Sequence, residues 1–267
     1  MIPIIKKELR EKRTSLIFFI ILSVALTWVY IVLFPTVRDQ ADSLNKLVET
    51  YPEALKKAFK LEGGGFNTIE AFLSYELFSL MWPLLAIMLA LSRAGNAITG
   101  EVERNTIGSL LSQPISRFRI YLSKFLSGHI SITLFVIASI LSPIPLSWLY
   151  GFPVHPKNFL VCAVLCLCFS SAIYSVGLLG SAIASERSKL YGILGGSILL
   201  MYVLNVISGI KPSLENLQYA SIFHYFNATD VMLHARLPIG SCLLFIGISL
   251  VSALVGAYIF KSRDLSA

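Results

Sequence analysis

Residues 158–184 read "NFLVCAVLCLCFSSAIYSVGLLGSAIA", without a single Asp, Glu, Lys or Arg. An α-helix crosses the hydrocarbon of a bilayer in about 20 apolar residues, and this run exceeds that length. It reads as a transmembrane helix. Five more runs do the same, at 14–34, 72–92, 125–150, 190–208 and 239–260. The 267-residue chain is 55% hydrophobic and only 14% charged, and its mean hydropathy of +0.74 is too high for a soluble core of this size. The expected fold is all-α and polytopic, a single transmembrane domain over 1–267 with six spans. Around them lie an N-terminal interfacial helix (1–13), an outer amphipathic loop (35–71) and a cytosolic segment between spans two and three (93–124).

The net charge of +7 could suggest nucleic acid, but the cations sit in short segments flanking the apolar runs. There they orient helices and meet anionic lipid, so nucleic acid is excluded as a partner and membrane lipid is expected. With the N-terminus inside, Lys6, Lys7, Arg10, Lys12, Arg13, Arg93, Arg104, Arg117, Arg119, Lys124, Arg187, Lys189, Lys261 and Arg263 are cytoplasmic. Arg38, Lys46, Lys56, Lys57, Lys60, Lys157, Lys211 and Arg236 are outside. The bias places both termini in the cytoplasm of a multi-pass cell-membrane protein. Trp28, Tyr30, Trp148 and Tyr150 then sit at outer span ends, where amphipathic rings favour the interface. The charged leader "IPIIKKELREKRTS" has no small-residue cleavage site and runs into a full-length span, so no signal peptide is expected.

Around the spans, Pro3 starts a short helix whose Ile2, Ile5, Leu9 and Leu16 form a stripe suited to the inner leaflet. Outside, Val37, Ala41, Leu44 and Val48 recur at helical spacing. Pro52 opens a second short helix with Ala54, Leu55, Ala58 and Phe59, and residues 62–66 form a flexible break. Asn67 with Glu70 reads as a cap and its partner, and Glu76 as a hydrated anchor near the outer boundary. Cys162, Cys166, Cys168 and Cys242 all lie in apolar runs and read as small packing residues without disulfides. His224, Asp230 and His234 match no metal-ligand spacing, and His129 and His155 are expected near membrane boundaries with no paired carboxylate. Asn227–Thr229 forms a glycosylation triplet, meaningful only in a secretory-pathway host. Gly177 with Gly180, Ser181 with Ser185, Gly192 with Gly196 and Ser252 with Gly256 permit close helix packing, within the chain or between subunits.

The segment of chain chemistry is "GEVERNTIGSLLSQPISRFRI", residues 100–120. From Arg93 to Lys124 it spans about thirty residues, long for a connection between bundle helices. Asn105 or Thr106 can cap a short helix whose Ile107, Leu110 and Leu111 make an apolar face; Pro114 stops it. Ser116 can cap the next helix, with Arg117, Arg119 and Lys124 at lipid headgroups. Glu101, Glu103 and Arg104 project charge beside the apolar face. Such an element either docks on a partner or lies in the interface.

The run from Gly100 to Phe125 resembles the permease signature of the ABC-2 exporter family through Glu101, Glu103, Thr106, Ile107, Leu110, Leu111, Pro114, Ile115, Ser116, Arg117 and Lys124. It departs at Asn105 and Ser123, where the family has Gly, and at Gly108, where it has an acidic residue. The stretch "LNKLVETYPEALKKAF" and the neighbourhood of Ser221–Tyr225 are also similar. The resemblance implies a coupling helix that inserts into a separate ABC ATPase subunit, with ATP and Mg on that partner and no cofactor on this chain. It also implies a second permease copy or paralogue. Glu101, Glu103, Arg104, Thr106, Ile107, Leu110, Leu111, Pro114, Ser116 and Arg117 would carry the coupling. Consistently, the chain has no G-x-x-x-x-G-K-[ST] loop. It reads as the non-catalytic permease of an exporter for amphipathic or hydrophobic cargo. An ion-coupled secondary transporter or a non-transporting scaffold are the rival readings; the first of these usually needs ionisable groups near the midplane.

Overall fold

The structure, a computed structural model, describes residues 1–59, 65–112 and 114–263, with backbone alone at 57–59, 111 and 212. Helix makes up 85% of it, and the described residues contain no strand. Six helices are long and apolar enough to cross a membrane: Arg13–Asp39, Ile69–Ala97, Arg117–Leu149, Pro156–Ile183, Arg187–Ile210 and Ile239–Ser262. The chain is therefore an all-α, multi-pass membrane protein. Shorter helices complete it: α1 (Ile2–Glu11), α2 (Ala41–Glu49), α3 (Glu53–Phe59), α4 (Thr99–Glu103), α5 (Ile107–Leu111), α6 (Ile222–Tyr225) and α7 (Ala228–His234). With an even number of spans, α1 and the end of the sixth span share one end of the bundle, called here the terminal end; the other is the distal end.

The fourth span is the hub and packs on the second, third and sixth. In lipid the apolar effect does not distinguish helix from bilayer, so close packing and buried hydrogen bonds must hold such a bundle. Both are present. A Cβ on Gly177 would stand 2.7 Å from that of Ala94, so the second and fourth spans touch nearly backbone to backbone. Ser175 and Ser249 hydroxyls meet at 2.7 Å between the fourth and sixth spans. Trp82 Nε1 donates to Ser139 Oγ at 2.8 Å, with its ring stacked on Phe135 and Phe226. Gly180 faces Leu190 and Gly256 faces Tyr121, whereas Gly192 and Gly196 face open space. The first small residues thus serve packing within the chain. The fifth span, only 6% buried, stands at the edge of the bundle. Cys162 and Cys166 lie one turn apart with sulfurs at 3.8 Å.

The second span is irregular for a visible reason. Ser74–Met81 forms a π-helix directly before Pro83. Proline has no N–H for the carbonyl four residues back and its ring crowds that carbonyl; a widened turn relieves both. Ser79 Oγ donates to the Tyr75 carbonyl, satisfying an acceptor in the altered ladder. The third span likewise breaks at Ser142–Pro143.

Three expectations at the distal end are corrected. Thr68, not Asn67, caps the second span, its Oγ1 accepting from Ala71 N at 3.3 Å; its extended backbone aims the hydroxyl at the first turn. Glu70 does not reach back as a capping partner. It is buried and accepts from the His155 backbone N–H at 2.7 Å, with His155 Nδ1 at 3.1 Å. His155 therefore has a carboxylate partner, brought by the fold across 85 residues of sequence. Val37, Ala41, Leu44 and Val48 do face inward, and α3 packs on the fifth span. Of the expected break, 62–64 lie outside the described residues, and the side chains of Ala58 and Phe59 likewise. Trp28 Nε1 donates to Tyr150 OH at 2.9 Å, joining the first and third spans. Glu76 is exposed. Asn227 caps α7 through Asp230 N at 3.3 Å, and His234 pairs with Asp230 one turn on. His224 packs edge-on against Tyr219.

Candidate functional site

The segment between the second and third spans closes the terminal end, and side chains from around the bundle hold it. The fourth span comes first. Ser181 Oγ accepts from Ile98 N at 3.3 Å and Thr99 N at 3.0 Å, so a serine of another helix satisfies the free N–H groups that begin α4. Thr99 Oγ1 donates to the Ser181 carbonyl at 3.0 Å in return.

α4 then presents two carboxylates in opposite directions. Glu101 turns inward to Lys124 Nζ at 3.0 Å. Burial works to raise this carboxyl, but the Lys124 charge and hydrogen bonds from Thr106 and Lys124 outweigh it and hold the group below the ordinary carboxylate value. Glu103 turns outward, where the Arg187 backbone N–H and guanidinium both bond it and lower its pKa. Arg187 Nη1 also reaches Asn96 Oδ1 at 3.0 Å, and Arg104 Nη2 reaches the same oxygen at 3.0 Å. Asn96, at the end of the second span, thus joins the start of the fifth to the segment between the second and third spans.

Between α4 and α5 the backbone takes a left-handed turn at Asn105, φ 57°. Glycine takes this conformation most readily, and asparagine is among the few other residues that tolerate it. That is a physical account of Asn105 at a family glycine. Thr106 occupies the N-cap of α5 but makes no side-chain cap there; its hydroxyl is turned back to donate to the Glu101 carboxylate and carbonyl. Ser116 caps the third span as expected, accepting from Arg119 N at 3.4 Å.

Three sequence expectations change here. Ile107 is 4% exposed and packs into the chain's own core, with Leu110 half-buried against it. Ile107 and Leu110 of α5 are therefore covered by its own bundle, and the polar Arg104, Asn105, Thr106, Ser109 and Ser112 are exposed, as is Pro114. The Leu111 side chain lies outside the described residues. Lys124 does not reach lipid headgroups; it is 2% exposed, between Glu101 and Glu8. Arg117 donates to the Arg263 carbonyl at 2.6 Å, while Arg263 caps the fourth span through the carbonyls of Ala182 at 2.8 Å and Ala184 at 3.1 Å. Arg117 is thus a tie between the third and sixth spans.

Sequence reading missed Glu8, Asn96, Ser181, Arg187 and Arg263. Lys124 stood in sequence as one of three cations before the third apolar run, with nothing local to mark it as the buried one.

The family model for the ABC-2 family transporter protein matches residues 2–265. The chain belongs to this family. As an ABC-2 transporter protein it is a permease, and the family implies an ABC ATPase partner in general. A search of curated proteins found no match. Within the ABC-2 chain, the signature residues thus divide into an exposed face and a set of internal ties.

Proposed function

We propose that this chain is the membrane-spanning subunit of an ATP-driven exporter of amphipathic or hydrophobic cargo, and that residues 93–117 are the handle by which a separate ATPase moves the spans. One observation carries this reading: α4 and its flanks are bonded to the ends of the second, third, fourth and fifth spans, through Asn96, Lys124, Ser181 and Arg187. A push on the exposed face of α5 is transmitted to all four, as a rigid-body switch between packings requires. ATP and Mg belong to the partner, and this chain supplies no hydrolytic group. The docking face is the polar ridge of Arg104, Ser109 and Ser112 rather than the leucines. The open face of the fifth span, with Gly192 and Gly196, suits a second permease copy or paralogue.

Ser109→Trp tests the handle, because Ser109 is exposed and its replacement disturbs no core contact. The variant is expected to keep its thermal unfolding temperature while permease-dependent ATP hydrolysis by the co-expressed ATPase falls about tenfold, the cost of one misfitted contact of about 1.4 kcal/mol. Unchanged copurification and hydrolysis would remove α5 from the interface.

A further inference from the structure

The N-terminal helix α1 is more than a surface float. Its Ile4 is buried, and the helix packs on the third span. Glu8 reaches from it to the Lys124 ammonium, the same group that Glu101 holds at 3.0 Å. Glu8 and Lys124 are 116 residues apart in sequence, and Glu101 and Lys124 are 23 apart. Only the fold brings these three together. A second pin lies beside the first: Arg93, buried in the second span, donates from Nη2 to the Lys12 carbonyl at 2.8 Å. Lys12 is the joint between α1 and the first span, with φ −101° and ψ 7°. α1 is therefore fastened at its middle to the third span and at its end to the second, the two spans that flank the coupling segment.

The charges balance. Two carboxylates face one ammonium, and the nearby Arg93 guanidinium brings the group to neutrality, as burial demands. If α4 shifts, Glu101 either abandons Lys124 and strands a buried charge, or carries Lys124 and Glu8 with it. Stranding a buried charge is the costlier course.

We infer that Glu8, Lys124 and Glu101 form an ionic clasp through which α1 and the coupling segment move as one body, making Lys124 a positioning residue of the drive. The clasp rests on the reading of residues 93–117 as the coupling segment. α1 then transmits the displacement to the first span through the pinned joint at Lys12, beside the direct contacts that the first span makes with the second and third.

The test uses the full chain in lipid nanodiscs, with Cys162, Cys166, Cys168 and Cys242 replaced by Ala and nitroxide labels on Lys6→Cys and Ser109→Cys. The parent is expected to give one narrow label-to-label distance. Glu8→Gln, which keeps shape and removes charge, broadens it; Lys124→Arg, which keeps charge, leaves it narrow. A distribution equally narrow in Glu8→Gln and Lys124→Ala overturns the clasp, whatever the ATPase does. In the complex with the ATPase, each label is then measured against Tyr258→Cys on the sixth span, before and after ATP with vanadate. Both labels are expected to shift in the parent, and Glu8→Gln to lose the shift at Lys6 while keeping it at Ser109. Movement at Ser109 without movement at Lys6 in the parent overturns the clasp and spares the coupling reading. Movement at neither label overturns the coupling reading itself.

Discussion

Asn105 shows how a single backbone angle shapes the segment between the second and third spans. At φ 57° the chain reverses between α4 and α5, which brings the Thr106 hydroxyl back to Glu101 and turns Ile107 into the core. A β-branched residue in this conformation costs about 1–2 kcal/mol. Asn105→Val is therefore expected to speed amide hydrogen exchange across residues 99–112, whereas Asn105→Gly leaves it near the parent rate. Equal rates in the two variants would show that the turn does not govern the segment. At this scale the sequence was only partly readable. The cap at Ser116 is local chemistry and could be read; Asn105 was read only as a candidate cap and not as the left-handed turn it makes, and the duties of Arg117 and Lys124 could not be read, because their partners lie 146 and 116 residues away. The positions of α1 and of the last turn of the sixth span settle those pairings, and neither position is written in local spacing.

Between elements, the third and fourth spans show what fixes helix approach in lipid. Tyr174 OH donates to the Lys124 carbonyl at 2.8 Å, and the ring rests where Gly128 leaves room; a Cβ on Gly128 would collide with it. Tyr174 is 1% exposed and has nowhere to move. Gly128→Ala is expected to lower stability by about 1–3 kcal/mol, the usual cost of overpacking, read as a fall in the thermal unfolding temperature in detergent. Gly247→Ala in the sixth span, with no atom within 4 Å, is the matched control and should leave that temperature unchanged. A Gly128→Ala chain as stable as the control would mean that the two spans approach less closely than the structure has them. The spans themselves were legible because apolar length is a one-dimensional property. The start of the third was legible too, because the Ser116 cap marks a helix that begins at Arg117 and runs on into the apolar stretch. The π-turn before Pro83 left only the proline as its trace, and the choice between Asn67 and Thr68 as cap depended on a backbone angle that composition does not encode.

For the molecule in its membrane, the distribution of charge gives an expectation of which end faces the cytoplasm. Of the 22 Lys and Arg residues, fourteen flank the terminal end and eight the distal end. Arg93 and Lys124 are buried there, yet setting both aside still leaves twelve against eight. Acidic residues weigh little in this rule, so the carboxylates of Glu8, Glu101 and Glu103 do not offset the excess. The terminal end, with α1 and α5, is accordingly expected in the cytoplasm, and α2 outside. Single cysteines at Ser109 and Leu47, both exposed, on a background without the four native cysteines, test this in intact cells with a membrane-impermeant maleimide. Leu47→Cys should react at once and Ser109→Cys only after permeabilisation. The reverse pattern would put α5 beyond the reach of any cytosolic ATPase, and the internal ties of the terminal end would then have to serve something other than nucleotide-driven movement.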